Sequence, residues 1–204
     1  MIRSEKFWNR VSRRSMGKRQ GLGQVSLKIV EATQKHLGRE AVVLDFGCGP
    51  GSLTTRIAER VASVHGIDTS AGMIEVATWE ADRRGIKNVR FTRAELDGGH
   101  QQGSFDVVVA FNVLHHVEDV REVAGRVSGL LKPGGLFISS TACLAERSTL
   151  RAVALLVTTL GLVPHMKSYK RAELETLITG GGFEVIESQD LSGLPERFVV
   201  ARRR

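Results

Sequence analysis

A short apolar run, Ala41-Val-Val-Leu-Asp-Phe46, stops on glycines at every second position, Gly47-Cys48-Gly49-Pro50-Gly51. A helical pattern from about Ser52 to Arg60 follows directly, with Leu53, Ile57 and Val61 on one face. A strand without polar alternation suits the interior of a parallel sheet, buried on both faces. Glycine lets the backbone turn tightly and lets a ligand approach where a Cβ would block it. Strand, glycine turn and helix in immediate succession are the opening unit of an α/β sheet.

The rest of the chain repeats that rhythm. Strands are predicted at 63–67, 88–92, 105–111 and 136–140, and helices at 25–37, 71–84 and 117–131. Phe105-Asp-Val-Val-Val-Ala-Phe111 is the strongest strand signal, because adjacent valines favour the pleat and disfavour helix. Lys132-Pro-Gly-Gly135 ends the helix before it. Two further helices, 147–160 and 170–178, precede strands at 183–189 and 197–202. Alternation of this kind demands right-handed crossovers and an open sheet with helices on both faces. The fold class is α/β, doubly wound and Rossmann-like.

In such a sheet the ligand lies beyond the carboxyl ends of the strands, where strand order reverses. Asp68 ends the second strand, 21 residues after Gly47, at the spacing where an acid accepts both hydroxyls of a ribose. A dinucleotide would bring a pyrophosphate, which seeks the positive end of a helix and no nearby anion. Here Asp45 stands at the mouth of the turn, and the third glycine falls one place early for G-x-G-x-x-G. Those two departures argue against a NAD-dependent oxidoreductase. A ligand carrying an ammonium and a sulfonium would be attracted instead, and that ligand is S-adenosylmethionine.

Four motifs stand in order: Val43-Leu-Asp-Phe-Gly-Cys-Gly-Pro-Gly51, Gly66-Ile-Asp-Thr-Ser70 with Met73 behind it, Phe105 to His116, and Leu130-Leu-Lys-Pro-Gly-Gly135. Over about residues 40 to 140 the chain resembles the class I S-adenosylmethionine-dependent methyltransferases. It is most similar to their small-molecule branch, which includes the quinone-biosynthesis methyltransferases. The resemblance implies a seven-stranded sheet in the order 3-2-1-4-5-7-6 with an antiparallel last strand, and S-adenosylhomocysteine as product. It places Gly47, Cys48, Gly49 and Gly51 under the methionine part, with Asp45 near the ammonium. Asp68 would hold the ribose, and Thr69 and Met73 would border the adenine. Glu95 and Leu96 would meet the adenine edge, with Asp97 as the rival acid. Backbone groups of Phe111 and Asn112 would close the site near the sulfonium.

His115 and His116 follow the fourth strand at the switch point, and imidazole titrates in the range a general base needs. Being adjacent, they cannot both face the cleft on a helical turn, so capping or packing the next helix is the competing reading. Phe7 and Trp8 sit where the family places a lid, and they can equally anchor the arm to the body. Residues 144–167 form an insert with Leu150, Val153, Leu156, Val157 and Leu160 at helical spacing. That face suits core packing, or a roof over an apolar substrate. The division read from the sequence is a basic arm, 1–22, and one methyltransferase domain, 23–204.

The net charge of +7 is unevenly placed: residues 1–20 carry seven basic groups against Glu5, and Arg202, Arg203 and Arg204 end the chain. The stretch between is slightly acidic, as suits a cationic cofactor. The basic arm fits an acidic substrate, a peripheral membrane contact or solvent. It lacks the interleaved aromatics that stack nucleic-acid bases. Cys48 and Cys143 make neither a disulfide framework nor a zinc-site spacing. With no apolar segment near the roughly 20 residues a bilayer crossing takes, the expectation is a cytoplasmic enzyme without a metal. Methyl transfer to a small molecule, apolar or acidic, is the first reading, and a non-catalytic cofactor-binding regulator is the alternative.

Overall fold

The computed structural model describes residues 2–15, 22–96, 99–160, 163–164, 166–191 and 195–204. Along the chain the elements are α1 (Ile2–Ser15), α2 (Gln24–Gln34), β1 (Val42–Phe46), α3 (Thr54–Ala58), β2 (Ser63–Asp68), α4 (Ala71–Arg84), β3 (Val89–Arg93) and β4 (Phe105–Phe111). They continue as α5 (Val120–Leu130), β5 (Leu131–Ala142), α6 (Ser148–Thr159), α7 (Arg171–Thr179), β6 (Phe183–Gln189) and β7 (Glu196–Arg203). The seven strands form one sheet in the order β3-β2-β1-β4-β5-β7-β6. The pairs among β1 to β5 are parallel, and β7 runs antiparallel to both β5 and β6. This is the expected topology, and it opens a crevice between the carboxyl ends of β1 and β4.

Alternate residues of the strands feed two apolar layers. One packs Leu44, Val108 and Phe137 against Ala124, Val127, Leu174 and Ile178 of α5 and α7. The other packs Val43, Val107 and Ile138 against Ile29, Ala32, Ile57 and Ala58 of α2 and α3. Each such fully buried aliphatic side chain contributes roughly 1.5–3 kcal/mol relative to exposure.

Local chemistry sets the element ends. Ser70 caps α4 by accepting from the Met73 N–H at 3.2 Å, and Gly85 closes that helix at φ 67°. Asp119 caps α5 by accepting from the N–H groups of Arg121 and Glu122. The helix expected from Val117 therefore starts at Val120, after a single 3₁₀ turn at Leu114–His116. Lys132-Pro-Gly-Gly135 ends α5 as read, but it lies inside β5 as an irregularity. Phe105 pairs with Leu131 whereas Val107 pairs with Leu136, so β5 bulges there.

Two other differences are larger. Over Ile2–Ser15 the basic arm is helical, with Glu5, Trp8, Asn9 and Ser12 on its inner face while Lys6, Arg10 and Arg13 are exposed. That i, i+3, i+4, i+7 spacing is an amphipathic pattern written in polar residues, which an apolar count passes over. The insert helix α6 does not bury its apolar face in a core. Only Ala154 is buried, while Leu155 and Leu160 are 64% and 63% exposed.

Candidate cofactor cleft

The glycine turn is tied to the neighbouring strand by its backbone. The N–H groups of Gly47 and Cys48 both donate to the Ile67 carbonyl, at 2.9 and 3.0 Å. Its glycines differ in purpose. A Cβ on Gly51 would lie 2.8 Å from Ala77 Cβ and 2.9 Å from Phe91 Cζ, so Gly51 lets α4 and β3 pack closely. A Cβ on Gly47 would meet Val113 at 2.6 Å. At Gly49, φ is 52° and the same position meets no atom within 4 Å. The open cradle of the turn is therefore at Gly49.

Two carboxylates lie close to this turn. Asp68 Oδ2 accepts from the Gly49 N–H at 3.0 Å and Oδ1 from the Ser70 N–H at 2.8 Å. Each oxygen keeps a second lone pair, the capacity that a pair of ribose hydroxyls needs. Burial raises the Asp68 pKa, opposed by the N–H groups of Ser70, Gly49 and Thr69. Asp45 is 2% exposed and accepts from Thr54 Oγ1 at 2.6 Å. Its pKa rises to about 7, chiefly through burial, with the Thr54 hydrogen bond opposing and the Asp68 charge reinforcing. Two acids this desolvated, beside a buried Ser52 Oγ without a partner among the described groups, fit a ligand bearing positive charge and hydroxyls.

Across the crevice, the backbone leaves β4 through Asn112, whose φ of 55° puts a non-glycine residue in the left-handed region. Its N–H donates to the Ser140 carbonyl at 2.8 Å, which holds that strained corner in place. The two histidine rings touch, centroids 4.2 Å apart, but sit in different surroundings. His115 is buried, and desolvation, then the neighbouring His116, lowers its pKa to about 4. Its Nδ1 is buried without a partner among the described groups, and its carbonyl accepts from the Lys167 N–H at 2.8 Å. The His116 ring instead meets Trp8 edge to face, centroids 5.7 Å apart, and Phe7 packs on Trp8 at 5.1 Å.

The α1 helix reaches the cofactor side through residues that the sequence reading did not single out. Asn9 Oδ1 accepts from Ser70 Oγ at 2.6 Å and from the Gly72 N–H at 3.1 Å. Arg93 links Glu5, at 2.8 Å, to the Thr69 carbonyl, at 3.1 Å. The turn after Asp68 is thus held from above by α1.

Among the adenine candidates, Thr69 and Glu95 are exposed, and Met73 is buried in α4. Leu96 is buried in the core, and Ala94 N–H donates to the Asp68 carbonyl at 3.1 Å. Asp97 lies outside the described residues. Cys48 is buried, its thiol pKa raised by desolvation, as befits a small packing side chain. Phe111 is buried at the end of β4. Among the described residues no group of three or more His, Cys, Asp or Glu could hold a metal, and no helix is long and apolar enough to cross a membrane.

Residues 37–182 match the family model described as a methyltransferase domain. The chain is 32% identical over 179 residues to a ubiquinone biosynthesis O-methyltransferase of Xanthomonas axonopodis pv. citri, covering 85% of this chain and 73% of that one. It is 29% identical over 154 residues to the enzyme of the same name from Rickettsia felis, covering 73% of this chain. It spans 63% of that relative's length. A solved structure of an S-adenosylmethionine-dependent methyltransferase from Mesorhizobium loti superposes with a TM-score of 0.70 at 23% identity, covering 89% of this chain and 99% of that one. The chain belongs to the methyltransferase-domain family, in its class I S-adenosylmethionine-dependent branch.

Proposed function

We propose that this chain methylates a hydroxyl of a small, largely apolar acceptor. The observation that carries the cofactor half of this reading is the Asp68 carboxylate, held between the Gly49 and Ser70 N–H groups at the switch point. S-adenosylmethionine supplies a methyl group already activated by its sulfonium, so the protein's task is to align two reactants and exclude water. Asp68 accepts from the ribose hydroxyls, and Asp45 provides the counter-charge for the ammonium. Trp8, seated on His116, covers the mouth, which makes α1 the lid and His116 its seat.

His115 is then the residue left to face the acceptor. At a pKa of about 4 its ring is neutral at physiological pH, and Nδ1 can accept a hydrogen bond from an acceptor hydroxyl. Imidazolium formation there is costly, so the geometry favours a hydroxyl that parts with its proton readily, as a phenol does. The names of the relatives, O-methyltransferases of ubiquinone biosynthesis, support an oxygen acceptor.

The apolar character of the acceptor rests on α6. Val153 and Leu156 of α6 and Leu160 at its C-cap share one side and are more than half exposed, as is Leu155, on a helix that follows Arg147 and carries Arg151. Such a face serves a substrate with an apolar tail, delivered from a lipid surface that α6 touches peripherally. Assay of methyl transfer to a catechol with and without an apolar tail tests this. Transfer in which Leu155→Ser with Leu156→Ser raises KM only for the tailed catechol is expected. Equal use of both catechols, unaffected by the substitutions, would remove the apolar acceptor.

A further inference from the structure

A second concavity, about 610 Å³, lies at the opposite edge of the sheet, where β1, β2, β3 and β4 begin. Parallel strands all start at one edge and finish at the other. The six residues of β2 put His65 near this groove and Asp68 at the cofactor cleft, with roughly 3.3 Å of rise per residue between them. Nothing in the transfer reaction uses this edge.

The ionisable side chains lining the groove are Lys87, Arg90, His65 and His100, with no carboxylate among the described lining residues. Arg90 donates to His65 Nδ1 at 3.1 Å. With Nδ1 accepting, the proton of the neutral ring sits on Nε2, which donates to Thr92 Oγ1 at 2.9 Å. The guanidinium is therefore spent on a neutral imidazole, and among the described residues no carboxylate pairs with it. His100 stacks edge to face on His65 at 4.9 Å and on Phe105 at 5.6 Å, and its Nε2 is buried without a partner among the described groups. Burial, and then the Arg90 charge, lowers the pKa of both imidazoles, and no acid opposes either shift. A merely solvated basic surface would not place two desolvated rings beside a cation inside a concavity. Among the described residues the arrangement lacks only a negative partner.

We infer that this groove is a second binding site, for a small molecule bearing a phosphate or diphosphate group. Arg90 and Lys87 contact the phosphate oxygens as fork and point charge, and Asn88, Gln101 and Ser104 supply neutral hydrogen bonds around them. The volume is that of a small-molecule pocket rather than a seat for a lone ion. Because the groove lies at the far edge from Asp68, its ligand and the methyl donor bind together, without competition.

Inorganic pyrophosphate is the probe, titrated into the full chain at about 0.15 M chloride, where surface charge alone is screened. Imidazole signals of His65 and His100 should move saturably, with a Kd below about 1 mM. Replacing Arg90→Gln together with Lys87→Gln, both exposed, should weaken pyrophosphate at least tenfold and leave S-adenosylmethionine affinity unchanged. Histidine signals that do not saturate by about 10 mM, or sulfate and pyrophosphate acting equally, would reduce the groove to general ionic attraction and overturn the site. So would a double variant that binds pyrophosphate as tightly as the parent. Loss of S-adenosylmethionine binding by the parent chain would instead strike the cofactor reading and leave this one standing.

Discussion

Asn9, on the N-terminal helix, accepts a hydrogen bond from the backbone N–H of Gly72 at 3.1 Å, satisfying one of the orphan donors that begin α4. The fit is close: a Cβ on Gly72 would stand 2.2 Å from the buried Ser12 Oγ and 3.3 Å from Asn9 Oδ1. Gly72→Ala is thus expected to lift α1 while leaving every cleft residue in place. Limited trypsin digestion should then cut at the exposed Arg10 and Arg13 much faster than in the parent, and KM for S-adenosylmethionine should rise roughly tenfold with the melting temperature little changed. Digestion at the parent rate would show that α1 does not depend on this seat.

Asn9→Ala should act in the same direction and more mildly, since a buried hydrogen bond contributes about 1 kcal/mol. Its second partner, Ser70 Oγ, belongs to the residue whose N–H holds Asp68. Stopped-flow binding of S-adenosylhomocysteine should therefore show a faster dissociation rate in Asn9→Ala, with association nearly unchanged.

Asp45 gives the reaction a pH dependence with a definite sign. Its folded pKa is about 7, against 3.8 for an ordinary aspartate, and burial is the main cause. A donor ammonium favours the ionised form, so S-adenosylmethionine affinity should fall as pH drops below 7, by at most tenfold per pH unit. The same raised pKa opposes folding once the unfolded side chain ionises. Stability from this group is complete below about pH 4, falls between about 4 and 7, and is level above that. Asp45→Asn should consequently melt several degrees higher than the parent at pH 8, lose that gain near pH 4, and bind the cofactor less tightly throughout. Identical melting curves at pH 8 would place the Asp45 pKa near its ordinary value.

The histidine pair should divide under mutation. His116→Ala removes the ring under Trp8 and is expected to raise KM for the donor and shift the tryptophan emission, with kcat affected less than fivefold. His115→Phe keeps the buried shape and removes the nitrogens, so kcat should fall by about 10²-fold or more if Nδ1 meets the acceptor. A kcat unchanged in His115→Phe would assign that residue to packing alone.

The strand order came only from the family resemblance. The alternation of strands and helices, the turn and the place of Asp68 were legible in the sequence because each rests on local pattern: valine runs, alternate glycines, an acid at the end of a strand. Tertiary partners were not. Asn9, Ser12 and Arg93 are polar residues whose significance comes from what α1 lies against, and no periodic count of apolar residues reaches them. The same count left the stripe of α6 open between a packing face and a roof, since apolar spacing cannot distinguish a core from a surface kept open. His65 and His100 are 35 residues apart and meet only because the segment after β3 folds back over β2.

The central claim is that the cleft at Asp68 holds S-adenosylmethionine, and titration calorimetry on the parent chain and on Asp68→Ala tests it most directly. S-adenosylmethionine and S-adenosylhomocysteine should both bind the parent with one site, NAD should not, and Asp68→Ala should lose well over tenfold in affinity because two ribose hydroxyls lose their ionised acceptor. Tighter binding of NAD than of S-adenosylmethionine, or an affinity unmoved by Asp68→Ala, would contradict the account.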